Sequence, residues 1–171
     1  MGGSPYDKYG IAQWRLNLVD PFRSTNGGKG TLENQAQNQV SARNLSVLLV
    51  EDSRLLTDRL REAILNVPGT QLAGTVDSEF EAVATLKRMP VDVVLLDIHL
   101  RHGTGFGVLR AITNGQHDSV VAIVLTNHDL GEYRRAAAEL GARHFLDKMR
   151  DFDRLPALLQ EIGSRVDVRH G

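Results

Sequence analysis

The chain has 171 residues, of which 42% are hydrophobic and 24% charged, with a formal net charge of −1. That is the make-up of an ordinary globular chain, one domain or one domain plus an appendage, and it gives no whole-chain attraction to nucleic acid or to an anionic membrane. It contains no cysteine, which excludes disulfides, cysteine-ligated zinc, iron–sulfur clusters and thiol catalysis together.

No apolar run reaches the roughly 18 residues that a membrane span requires. The first ten residues lack the basic start and apolar stretch of a secretory signal, so a cytoplasmic location is expected. Residues 1–44 hold Pro5, Pro21 and a polar Gly/Asn/Gln-rich run from Ser24 to Gln39, with no sustained period of 3.6 or 2. They read as an N-terminal extension, largely disordered or loosely docked. Its apolar residues Tyr9, Ile11, Trp14, Leu16, Leu18, Val19 and Phe22 fit either a short segment lying on the body or a docking peptide for a partner. The run Gly27–Thr31 lacks the spacing of a phosphate-binding loop, and no apolar strand precedes it. The extension carries a net +2, which leaves −3 on the rest of the chain.

From Leu45 onward, apolar runs alternate with amphipathic ones. Ser46–Val50 reads as a strand buried on both faces. Ser53 is placed to cap a helix in which Leu56, Leu60 and Ile64 share a face, and Pro68-Gly69 ends that segment. Gln71–Val76 is a second, weaker strand. Ser78 starts a helix whose buried stripe is expected to be Phe80, Val83 and Leu86, ended by Pro90. Val91–Leu96 is an apolar strand broken only by Asp92, and Phe106–Ile112 a short helix. Val120–Leu125 is a further strand. Asp129 can cap a helix through Leu140, closed by Gly141. His144–Leu146 is the last strand. A final helix from about Asp151 to Arg165 turns Leu155, Leu158, Leu159 and Ile162 inward, leaving 166–171 as a tail.

Five strand–helix repeats predict an α/β fold, a parallel sheet covered by helices on both faces. In such open sheets the ligand site lies beyond the carboxyl ends of the strands. Those ends hold Glu51 and Asp52, Asp97, Thr126 and Lys148. Any one of the acids could be a helix cap, and the lysine alone could be a solvated charge. Three acids brought together repel each other unless a cation neutralises them, and hard oxygen donors suit Mg²⁺. With a hydroxyl and an ammonium added, the set suits chemistry on a phosphoryl group.

The segments Val47–Ser53, Val93–Ile98, Gly103–Gly105, Val124–Thr126 and Gly141–Lys148 carry a resemblance over about Leu45–Arg165. The chain resembles the receiver domains of bacterial two-component response regulators, in their single-domain, chemotaxis-regulator-like form. The resemblance implies a flavodoxin-like doubly wound five-stranded sheet of order 2-1-3-4-5. It implies Asp97 as phospho-acceptor, Asp52 and Glu51 as Mg²⁺ residues (the latter mainly through water), and the backbone carbonyl of His99 as a further ligand. Thr126 and Lys148 would bind the phosphoryl oxygens, and Phe145 would turn inward with Thr126 as a switch. The donor would be a histidine kinase or histidine phosphotransfer protein. Output would run through the Asp129–Arg165 face to a protein target, without direct contact to nucleic acid or membrane, and the only reactions catalysed would be the chain's own phosphorylation and dephosphorylation.

The chain departs from the family pattern at Arg101 and Met149, where proline is usual, and a trans Lys148–Met149 bond is expected. His99 and His128 are either exposed loop residues or tuners of phosphoryl lifetime near neutral pH. His99 and His102 without helical spacing are weak as a metal pair. The alternatives are a receiver fragment of a larger, for example DNA-binding, regulator, or a phosphatase or transferase on the same type of sheet. The latter would need a substrate cap, and no insertion between elements is long enough to supply one.

Overall fold

A computed structural model describes residues 43–169 apart from 116, 118 and 128–130, and side chains as far as Val166. Expectations for the extension, for His128 and for the Asp129 cap therefore lie outside the described residues, Arg43 and Asn44 excepted. Five strands, β1 (Leu45–Val50), β2 (Thr70–Val76), β3 (Val93–Leu96), β4 (Val121–Thr126) and β5 (His144–Asp147), alternate with α1 (Arg54–Leu65), α2 (Glu79–Arg88), α3 (Gly105–Asn114), α4 (Gly131–Glu139) and α5 (Leu155–Arg169). The strands pair in parallel in the order β2-β1-β3-β4-β5, as expected.

Side chains alternate across a strand with a period of two, so the continuous apolar runs feed two cores at once. Leu48, Val50, Val94, Leu96, Ala122 and Val124 pack on one face with Ala82 and Leu86 of α2, Val108 and Leu109 of α3 and Ala137 of α4. Val47, Leu49, Val93, Leu95, Ile123 and Leu125 pack on the other with Leu60 and Ile64 of α1 and Leu155, Leu159 and Ile162 of α5. Every residue of β1 and β3 is buried.

Several boundaries differ from the sequence reading for identifiable reasons. β3 starts at Val93, because the Asp92 carboxylate accepts a hydrogen bond from the Ser46 amide (2.8 Å) and pairs with Arg43. The polar break in the run thus ties the start of β1 to the strand beside it. Phe80 is not on the buried stripe of α2. It is 83% exposed, whereas Ala82, Thr85 and Leu86 are buried and Val83 is half-buried. Ser53 occupies the N-cap position of α1 without a side-chain cap bond. Ser78 does cap α2, accepting from the Glu81 amide. The last helix begins at Leu155, after a short 3-10 turn over Phe152–Arg154, and continues past Arg165 to Arg169, so residues 166–169 are helix and not tail.

Gly141 closes α4 as expected. With φ +87° its backbone takes the left-handed conformation that glycine tolerates, and the amides of Gly141 and Ala142 satisfy the Ala138 and Ala137 carbonyls. No peptide bond among the described residues is cis, so the Lys148–Met149 bond is trans. Nor does any described helix have the length and apolar character needed to cross a membrane.

Candidate functional site

β1 and β3 are adjacent in the sheet although β2 separates them in sequence. Their crossovers leave to opposite faces, which opens a crevice at their carboxyl ends. The strand register sets the level of that crevice: Val50 pairs with Leu96, and the Asp97 amide donates to the Val50 carbonyl (3.0 Å). Glu51 is held alongside through its own amide, which donates to the Val76 carbonyl (3.0 Å). On the other flank, Thr126 pairs with Asp147, and the Lys148 amide donates to the Thr126 carbonyl (3.1 Å). Strand ends β1, β3, β4 and β5 are thus tied at one height by their backbone.

The side chains converge accordingly. The Lys148 ammonium donates to Asp97 Oδ2 at 2.6 Å and to Glu51 Oε2 at 2.7 Å, with all three side chains buried. Asp97 Oδ1 accepts from the His99 amide (3.1 Å), and Glu51 Oε1 accepts from the Ser53 amide (3.0 Å). Each of these two carboxylates therefore has one oxygen on a backbone N–H and the other on the shared ammonium. Burial pushes the Glu51 carboxyl above its ordinary value, and the Lys148 ammonium and the Ser53 amide act against that push. Ser53 thus serves the acid cluster with its amide, and its hydroxyl makes no cap bond to α1.

Glu51, Asp52 and Asp97 each offer an oxygen, and those atoms lie within 4.8 Å of one another. Three carboxylates facing one volume, with a single ammonium against them, are an excess of hard oxygen donors, which fits a divalent cation such as Mg²⁺. Thr126 is fully buried at the end of β4. Phe145 is the second residue of β5. It is half-buried on β5 and packs against the core on the α2–α4 side, with the Arg134 guanidinium 4.5 Å from its ring centre. His99 is exposed, and its ring lies 5.5 Å from that of Tyr133 on α4. Tyr133 in turn meets Phe106 of α3 edge-on at 5.9 Å.

The sequence reading did not single out Glu79, and it took Gly105 and Asp147 only as members of the segments Gly103–Gly105 and Gly141–Lys148, with no role of their own. The Glu79 carboxylate accepts from the Thr104 amide (2.8 Å) and its amide donates to the His102 carbonyl, which braces the loop after Asp97. A Cβ on Gly105 would meet the Asp97 carbonyl oxygen at 2.3 Å and Ile98 Cα at 2.9 Å, so only glycine lets α3 start this close behind the site. Asp147 is a buried acid next to Lys148. An acid four residues before another acid, flanking a strand-end lysine, was the available signal for it.

A doubly wound parallel sheet with an acidic, lysine-bridged cluster at its switch point defines a class of phosphoryl-handling α/β domains. The response regulator receiver domain family matches residues 47–160, and the chain belongs to that family, the receivers of two-component signalling systems. The acid tolerance regulatory protein ActR of Rhizobium meliloti is 33% identical over 123 residues, 71% of this chain and 62% of that protein. A protein-glutamate methylesterase/protein-glutamine glutaminase of Pseudomonas aeruginosa is 31% identical over 106 residues, 62% of this chain and 30% of that protein. The chain therefore spans less than two thirds of these relatives. Among solved structures, the receiver domain of Francisella response regulator 1452 superposes with a TM-score of 0.65 at 19% identity, covering 72% of this chain and 99% of that one. The response regulator domain of Thermotoga maritima CheB gives 0.63 at 22% identity, covering 73% and 97%.

Proposed function

We propose that this receiver accepts a phosphoryl group on Asp97 from a phosphohistidine of a histidine kinase or phosphotransfer protein, and passes the signal on by protein contact through residues 129–165. The observation that carries this reading is the Lys148 ammonium held between Asp97 and Glu51 at 2.6 and 2.7 Å, with Asp52 beside them. An Asp97 carboxylate oxygen attacks phosphorus, a P–O bond forms, the P–N bond of the donor breaks, and the imidazole leaves with that electron pair. Lys148 follows the charge from the carboxylate to the phosphoryl oxygens, and the Thr126 hydroxyl donates to one of them. Mg²⁺, which Asp52, Asp97 and the His99 carbonyl would hold directly and Glu51 mainly through water, would supply the remaining neutralising charge.

Phosphorylation adds about −1.5 to −2 of charge and three acceptor oxygens, which must bias an element with two packings. Thr126, α4 and Phe145 are that element in this reading. Cytoplasmic residence accords with it. The test is intact mass after incubation with acetyl phosphate and Mg²⁺. Wild-type chain gains one phosphoryl group and Asp97→Asn does not; labelling that survives Asp97→Asn, or no labelling of wild type, refutes the assignment.

A further inference from the structure

Buried Lys148 directly follows β5, at the start of a loop that continues through exposed Met149 and Arg150 and holds no proline. A lysine carries several rotatable bonds, and a loop without proline has more backbone freedom to lose. Yet this ammonium is fixed between two carboxylates and is buried. Something in the loop supplies the missing restraint.

The hydrogen bonds identify it. Asp147 Oδ1 accepts from the Met149 amide (2.8 Å) and from the Arg150 amide (2.9 Å). The Asp147 amide donates to Asp151 Oδ2 (3.0 Å), and the Asp151 amide donates back to the Asp147 carbonyl (2.8 Å). The two acids thus clasp the three residues Lys148, Met149 and Arg150 from both ends. Asp151 is anchored in turn by Arg154, through its guanidinium (2.9 Å) and through its amide on the Asp151 carbonyl (2.9 Å). The Asp147 amide is also the first cause that holds the Asp151 carboxyl below its ordinary value. A proline at 149 would have no N–H to give Asp147. The methionine amide is one of the two donors to Asp147 Oδ1.

We propose that Asp147, closed by Asp151, is a positioning residue for phosphoryl transfer: it locks the loop that presents Lys148 to Asp97 with hydrogen bonds. It acts through Lys148 and touches neither Asp97 nor the phosphoryl group. The inference rests on the proposed role of Lys148 in phosphorylation of Asp97.

The experiment is a double-mutant cycle on the full chain, reading the rate of phosphorylation by phosphoramidate with Mg²⁺ through intact mass. Asp147→Ala is expected to slow the reaction about tenfold, the factor that corresponds to roughly 1.4 kcal/mol of lost positioning. Asp147→Asn, which keeps the Oδ1 acceptor, is expected to restore the rate to within about twofold of wild type. In a Lys148→Ala background, Asp147→Ala is expected to have no further effect, because what it positions is gone. A slowing of the same size in both backgrounds, or none in the wild-type background, overturns the clasp. A Lys148→Ala chain that reacts as fast as wild type overturns the reading of Lys148 instead, so the two failures are distinct. Should Asp147→Ala fail to fold, Asp151→Ala opens the clasp from its far end and is expected to slow the reaction severalfold; an unchanged rate there is equally decisive against it.

Discussion

Replacing Lys148 by methionine keeps the apolar stem and removes the ammonium, which leaves the Glu51 and Asp97 carboxylates, 2.7 and 2.6 Å from the lost charge, facing each other. Their side chains are only 2% and 9% exposed, so water does not screen them well. Breaking a buried ion pair from one side costs about 3–5 kcal/mol. Asp52 beside these carboxylates is only half-buried, so solvent is near and about 3 kcal/mol is expected.

The pH dependence has a definite sign. Burial already raises the Glu51 pKa in the folded state, and without Lys148 the largest influence lowering it is gone. A carboxyl raised above its unfolded value binds its proton more tightly when folded, so its contribution is favourable below the unfolded value and is lost as pH rises through the folded one. The Lys148→Met deficit is therefore expected to be small near about pH 5 and to grow toward about pH 7.5. Urea denaturation at the two pH values, in chelator and again in Mg²⁺, measures it. Mg²⁺ is expected to stabilise the variant more than wild type, because it meets three acids with no competing ammonium. A deficit below about 1 kcal/mol at about pH 7.5, as for an exposed pair, together with equal Mg²⁺ gains in both proteins, refutes the reasoning.

Gly105→Ala drives a Cβ against immobile backbone at Asp97 and Ile98. It is expected to cost about 3 kcal/mol in chemical denaturation and to slow labelling of Asp97. In Gly107→Ala the clash is with the Glu79 carboxylate, which can swing away only by giving up its bond from the Thr104 amide, so a smaller loss of about 1–2 kcal/mol is expected. Arg134→Ala removes a cation over the Phe145 ring and is expected to cost about 0.5–1 kcal/mol, a loss that should shrink in a Phe145→Leu background, where only the bond to the residue 145 carbonyl is left to lose. His144 has its pKa lowered, first by burial and further by Arg165 and Arg143 against the pull of Glu161. A folded-state pKa below the unfolded 6.5 means that stability falls as pH drops below that value. His144→Gln is expected to flatten that part of the stability profile, and unchanged curvature between about pH 6.5 and about pH 5 counts against it.

The architecture was readable because a parallel sheet buried on both faces needs unbroken apolar runs, and Val47–Val50, Val93–Leu96 and Ala122–Leu125 are such runs. Their polar ends, Glu51, Asp97 and Thr126, then had to fall on one edge, since parallel strands all point the same way. Helix faces were less readable. Phe80, Val83 and Leu86 satisfy a helical period, but α2 packs on Ala82, Thr85 and Leu86, where small side chains allow close approach and hydrophobicity alone carries little signal.

Local polar bonding was least readable, because one residue has several partners within reach. Ser53 could cap with its hydroxyl, yet its amide is taken by Glu51, whose other oxygen is fixed by Lys148, 97 residues away in sequence. That long-range pair decides the local geometry. The same logic governs Asp92, which looked like a flaw in a strand and instead ties the Ser46 amide to its neighbour. It governs Asp147 as well, whose neighbours in sequence say turn and whose buried place beside Lys148 gives the turn its consequence. In each case a carboxylate interrupts an expected pattern, and the backbone amide it accepts from explains why the interruption is tolerated. A search for acids that break apolar or turn patterns beside a strand end would therefore find positioning groups that motif matching passes over.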